Sequence, residues 1–281
     1  MNRYLVQKIG FAFLALSAIA VVAPILVVIG IIFAEGARAM SWEFILSVPR
    51  EGMKEGGIFP AILGTLILTL GTALAAIPIG VGGTVYLAEY ARDTWMTRAI
   101  RLAIVNLAGI PSIVYGLFGL GMFVLFMHMG TSILAGVLTL AIMTLPVIMS
   151  TSEEALRAVP MEFRTVSASL GGTRWQGIRH IVLPQALPGI ITGIILGLLR
   201  AAGETAPILF TVAAFYLPRL PQSPFDQAMA LPYHLYVIST QVPGMPMSIQ
   251  YGTALVLLIL VLSMNLGATI IRSYFRRRRQ W

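Results

Sequence analysis

The chain has no cysteine among its 281 residues, which excludes disulfides, thiolate chemistry and cysteine metal sites. Charge is scarce as well: 11% of residues are Asp, Glu, Lys or Arg, against 58% hydrophobic. Soluble domains carry about 25% charged residues, so this chain has too little polar surface to cover a globule in water. Histidine is limited to three residues, His128, His180 and His234, with no second ligand at metal spacing. Surface or packing roles are expected for them, the first at a membrane edge and the other two in loops. No glycine-rich nucleotide loop with its lysine occurs, nor any nucleophile–base constellation. The chain is expected to be non-catalytic and to bind no metal or cofactor itself.

What is present is apolar sequence in blocks long enough to cross a hydrocarbon core of roughly 30 Å. Six spans are expected, at 9–34, 60–88, 102–127, 132–150, 189–212 and 252–271, making residues 1–281 one all-α transmembrane domain. Arg3, Lys8, Arg92, Arg98, Arg101, Arg157, Arg164, Arg174, Arg179, Arg272 and Arg276–Arg279 fall in alternate connecting segments. The intervening segments hold only Arg38, Arg50, Lys54 and Arg219. Basic residues stay on the cytoplasmic side, so both termini are placed in the cytoplasm. The net charge of +8 therefore reflects topology rather than nucleic-acid binding. The Arg276–Arg279 run suits anionic lipid headgroups, and the scattered methionines suit packing. Ala37-Arg38-Ala39 has a cleavage-like pattern. The apolar stretch before it exceeds the usual signal-peptide core of about 7–15 residues, so an uncleaved anchor is expected. The segment 151–188 is too short for an ATPase, since domains usually need about 50 residues or more. Any energy source must be a partner or an ion gradient.

That segment has its own pattern. Ser152 ahead of Glu153 and Glu154 predicts a capped helix start, which Pro160 ends. Glu162–Leu170 predicts a short amphipathic helix with Phe163, Val166 and Leu170 on one stripe, closed by Gly171-Gly172. A second helix, Trp175–Leu183, is expected to return to the membrane and stop at Pro184. An apolar stripe outside the membrane must be buried on something, either a partner or the lipid surface. Gly171, nine intervening residues and Ile181-Val182-Leu183-Pro184 resemble the cytoplasmic loop of ABC-importer permeases. That loop is written EAA, three residues, G, nine residues, I, any residue, LP. Here the EAA positions are Thr165-Val166-Ser167, without the acidic residue. The resemblance implies a type I permease fold with a coupling helix that docks in a groove of a cytoplasmic ATPase. It assigns Glu162, Phe163, Arg164, Thr165, Val166, Ser167, Leu170 and Gly171 to that contact.

Three further strings resemble the permease subunits of phosphate importers. They are Leu87-Ala88-Glu89-Tyr90-Ala91, Leu107 to Gly119 through Pro111-Ser112-Ile113-Val114-Tyr115, and Arg200-Ala201-Ala202-Gly203-Glu204-Thr205-Ala206-Pro207. The Ala-Pro ending is similar to the PstA-type subunit. This implies a homologous second permease, two ATP-binding cassette subunits carrying ATP-Mg, and a periplasmic phosphate-binding protein. The residues alone say less. Pro111 must bend its helix, and Gly116, Gly119 and Gly121 allow either close helix packing or a pathway wall. Ser112 and Tyr115 have hydroxyls for a polar pathway.

Arg200 and Glu204 stand inside the fifth apolar block, where a charge costs at least about 2.5–3.5 kcal/mol on insertion scales. Four residues apart, they share one helical face. Two readings fit: a self-neutralising pair that fixes packing, or an anion contact in which the Arg fork matches two oxyanion oxygens. Arg200, Glu204 and Thr205, with Ser112 and Tyr115, are the candidate substrate pathway. Permeases for sulfate or molybdate are the nearest alternative. An ion-coupled secondary transporter would carry inverted repeats or broken helices, and the sequence displays neither.

Overall fold

A computed structural model describes residues 3–169 and 171–277. It is helical almost throughout. The chain runs α1 (Arg3–Gly36), α2 (Trp42–Leu46), α3 (Phe59–Val85), α4 (Trp95–Ala108), α5 (Ser112–Gly119), α6 (Ile133–Arg157) and α7 (Met161–Ser169). It continues through α8 (Arg174–Gly177), α9 (Leu183–Gly203), α10 (Ala206–Thr211), α11 (Leu231–Thr240) and α12 (Met247–Arg277). Wide π turns extend α3 over Tyr86–Tyr90 and α5 over Leu120–Phe126, and join α8 to α9 over Ile178–Val182. A short hairpin, Pro49–Arg50 with Glu55–Gly56, lies between α2 and α3.

Among the described residues five helices are long and apolar enough to cross a membrane: Gln7–Ala39, Phe59–Tyr90, Ile133–Arg157, Arg174–Gly203 and Met247–Tyr274. The expected third span is a pair instead, α4 and α5, bent by 106°. Pro111 explains the break, because it cannot donate to the Leu107 carbonyl four residues earlier. The Ile110 amide and the Tyr115 hydroxyl take that carbonyl instead, at 3.1 and 2.8 Å.

Other boundaries differ from expectation for equally local reasons. The fourth span runs on to Arg157, and Ser152 is buried within the helix rather than capping one. The cap is Ser132, whose side chain accepts from the Ala135 amide. Pro184 does not stop the returning helix. It occupies the first turn of α9, where a missing amide costs no helical bond, and the π turn before it absorbs the adjustment. The fifth span ends at Gly203. Glu204 is extended (φ −77°, ψ 137°), and a separate short α10 follows. Among the described residues two spans are thus broken: the bend expected at Pro111 is a full break, and the break after Gly203 was not expected. His234 lies within α11 rather than in a loop, and His180 within the third π turn. Burial pushes the His234 imidazole down to about 4, so it is neutral near pH 7.

The centre of the bundle is α3, α6 and α9, each packed on the other two. Small residues allow this close approach. Gly189, Gly193 and Gly197 of α9 face Ala155, Thr151 and Ile148 of α6, and a Cβ at Gly193 would lie 2.9 Å from the Thr151 side chain. In lipid the driving force for such a seam is packing, which small residues favour. Buried hydroxyls on these faces bond their own helices: Thr65 to Ala61, Thr69 to Thr65 and Thr84 to Gly80. The segments after the two breaks also pack together, with Gly116 of α5 against the Ala206 carbonyl and Pro207 of α10. Helix α1 packs along α12, and none of its apolar window is buried within the chain.

Candidate functional site

Arg200 is in the last turn of α9, where unpaired helix carbonyls favour a cation. It lies beyond Gly197, which packs on Ile148 and Thr144, so it is level with the middle of the apolar part of α6. Because α9 ends at Gly203, Glu204 is not on a continuous helical face with Arg200. The side chains meet nonetheless, through one hydrogen bond from Arg200 Nε to Glu204 Oε1 of 3.2 Å. The arginine side chain is 35% exposed and the glutamate 17%. Glu204 borders a very small gap with Thr65, Leu68, Leu140, Ala201 and Ala202. Irregular backbone at such a level is tolerated only where protein buries it or where it lines a water-filled cavity. The break therefore places Arg200 at the kind of position where an aqueous path is built.

The other expected pathway residues gather nearby in part. Helix α5 carries Ser112 and Tyr115 and packs on α10, which directly follows Thr205. Ser112 is partly exposed. Tyr115 is buried, and its hydroxyl is already given to the Leu107 carbonyl. It braces the Pro111 bend and does not offer a free hydroxyl.

A second charged cluster sits at the loop end of the bundle, around α7. The expected stripe of this helix is split. Met161 and Val166 face outward, 69% and 49% exposed, while Phe163 turns in against Val159, Ile178 and Val182. Glu162 and Thr165 are exposed, Ser167 is half-buried, and Leu170 lies outside the described residues. Gly171 has φ +73°, which glycine adopts without strain, so it ends the segment as expected. Arg164 points inward. Its guanidinium pairs with Glu89 (Nη2–Oε1 2.9 Å) and donates to the carbonyls of Leu156 and Val159. Arg174 donates to the Glu89 carbonyl, its guanidinium 5.2 Å from the centre of the Tyr90 ring. Arg101 donates to the Leu87 carbonyl and pairs with Glu153, which also holds Arg157. Sequence reasoning missed Glu89, Arg101, Glu153 and Arg174 as members of this cluster. The available signal was Glu89 itself, an acid closing an apolar block. Of the Arg276–Arg279 run, residues 278 and 279 lie outside the described residues.

A bundle of apolar helices with two internal breaks, a charged pair at one break and a short, partly apolar helix projecting from one end is the framework of a membrane transport subunit. The chain belongs to the binding-protein-dependent transport system inner membrane component family, whose model matches residues 76–281. It is 37% identical over 283 residues to the probable ABC transporter permease protein YqgI of Bacillus subtilis, covering 95% of each chain. To the phosphate transport system permease protein PstA 1 of Mycobacterium tuberculosis it is 33% identical, over 100% of this chain and 92% of that one. The fold is that of a bacterial ABC transporter involved in the import of alginate (TM-score 0.68, 14% identity, 96% of both chains). The chain is thus a multi-pass, non-catalytic permease subunit of an ABC importer.

Proposed function

We propose that this subunit forms half of the pathway of an ATP-driven importer of inorganic phosphate, in the manner of PstA. Its termini lie in the cytoplasm. Its partners are a homologous second permease, two ATP-binding cassette subunits carrying ATP-Mg, and a periplasmic phosphate-binding protein. The observation that carries this reading is the partly exposed Arg200 at the break of the fifth span, held among the described residues by a single hydrogen bond to Glu204. A planar guanidinium matches two phosphate oxygens, and one arginine tempered by a carboxylate releases what it binds. A deep trap would block transit. Glu204 accepts a hydrogen bond from a protonated phosphate oxygen, which sulfate lacks at neutral pH. The names of the phosphate permease relatives support the same substrate. Outside the membrane, Val166 and Met161 present apolar surface for the ATPase groove, and ATPase closure moves α7.

The test is uptake by vesicles containing the assembled complex. Arg200→Ala should reduce uptake of labelled phosphate to the level of protein-free vesicles while every subunit still co-purifies. Normal uptake by that variant removes Arg200 from the pathway. Uptake of sulfate or molybdate in place of phosphate by the unaltered complex would replace the substrate.

A further inference from the structure

We infer that the π turn Tyr86–Tyr90, with Glu89 at its centre, is the joint through which α7 moves the membrane helices, Glu89 acting as a positioning residue for transport. This rests on the reading that an ATPase grips α7.

A π turn leaves carbonyls at a helix end without helical partners. Here the Ala91 amide closes the turn onto Tyr86, at 2.9 Å. Arginines from three other segments converge on the remainder: Arg101 of α4 on the Leu87 carbonyl, Arg174 of α8 on the Glu89 carbonyl, and Arg164 of α7 on the Glu89 carboxylate. Glu89 is 7% exposed, so its charge must be matched within the protein. Its main-chain and side-chain oxygens together hold both sides of the connecting loop, Arg164 before Gly171 and Arg174 after it.

The link between α7 and the end of α3 is an ion pair beside an apolar contact. A cavity of about 290 Å³ lies between α7, α8 and this turn, lined by Glu89, Arg164, Arg174 and Ser167 among others. Phe163 of α7 packs on the same apolar cluster as Val85 and Val81 of α3, and the Arg164–Glu89 pair ties α7 to the turn that ends α3, so a displacement of α7 reaches α3 with that pair fixing its direction. From there it passes to α6 and α9, on which α3 packs, and so to Arg200. The joint is placed at the start of the route that ends at the candidate anion contact.

Two measurements test this on the complex assembled with its partner subunits. First, Glu89→Gln keeps shape but removes charge. It should still assemble and hydrolyse MgATP, while inorganic phosphate delivered per ATP falls about tenfold, within the range of coupling residues. Glu89→Asp should restore most of the yield. An unchanged yield in Glu89→Gln overturns the inference. Second, the cysteine-free chain accepts spin labels at Val166→Cys and Ile79→Cys, both exposed positions. Their separation should stay constant when MgATP is added with Glu89 in place, and should change in Glu89→Gln. A separation that changes with Glu89 in place overturns the joint, including if Glu89→Gln fails to assemble. The label at Val166 also tests the underlying reading by itself. If adding the ATPase subunits leaves it fully mobile, α7 is not the docking helix, and that failure is distinct from a change in the 79–166 separation.

Discussion

Two of the places where arginine meets glutamate away from bulk water, Arg200–Glu204 and Arg164–Glu89, are built on opposite lines. At the broken fifth span, Arg200 makes one hydrogen bond among the described residues, to Glu204, and keeps about a third of its surface free. At the loop end, Arg164 is held by a carboxylate and two carbonyls, and Glu89 is held through both its side chain and its backbone. A loosely held guanidinium can change partners, as contact with a passing anion requires. A fully committed one holds segments in register. Charge density alone does not distinguish these roles; the number of bonds already made does.

The comparison breaks most directly at Arg200. Its removal should abolish phosphate uptake, as described above, whereas the loop-end Glu89→Gln should lower only the yield per ATP. Next in size is Glu204→Gln, which should admit sulfate that the unaltered complex excludes. If sulfate stays excluded and phosphate uptake is normal, Glu204 does not read the substrate's proton. A packing change comes third. Gly116→Val would put a Cβ about 2.9 Å from the Ala206 carbonyl, and should destabilise the detergent-solubilised protein by about 1–3 kcal/mol, seen as a lower thermal midpoint. Smallest is Arg157→Ala. Its side chain is 59% exposed at the margin of the loop-end cluster, so the loss should stay within about 1 kcal/mol, with transport per ATP unchanged. A large uncoupling there would show that the whole cluster, not the Glu89 joint, sets the register.

Much of the architecture was legible because a membrane sequence displays its spans as apolar blocks and its charges as exceptions. Arg200 and Glu204 stood out for that reason. The breaks did not. Ala201-Ala202-Gly203 continues an apolar block, so the extended backbone at Glu204 leaves no gap in the hydropathy. Ser152 resembled a cap because acids follow it, yet Glu153 pairs with Arg101 and Arg157 inside a continuing helix. Pro184 resembled a stop because a π turn ahead of it leaves no periodic trace. Arg164 could be placed on the short helix, but its direction depends on Glu89, 75 residues away in sequence, and no local pattern reports such a partner.

The glycine positions of α9 at 189, 193 and 197 against α6 carry a mechanical consequence. Side chains that interlock resist rotation and let neighbouring helices click between discrete settings. A smooth, shallow groove with backbone close to backbone instead binds two rods into one stiff beam. The loop carrying α7 joins one end of this beam to itself, from Arg157 to Arg174. A push passed on through the Glu89 joint would then reach residue 200 as a tilt of both rods rather than as a slide of one past the other.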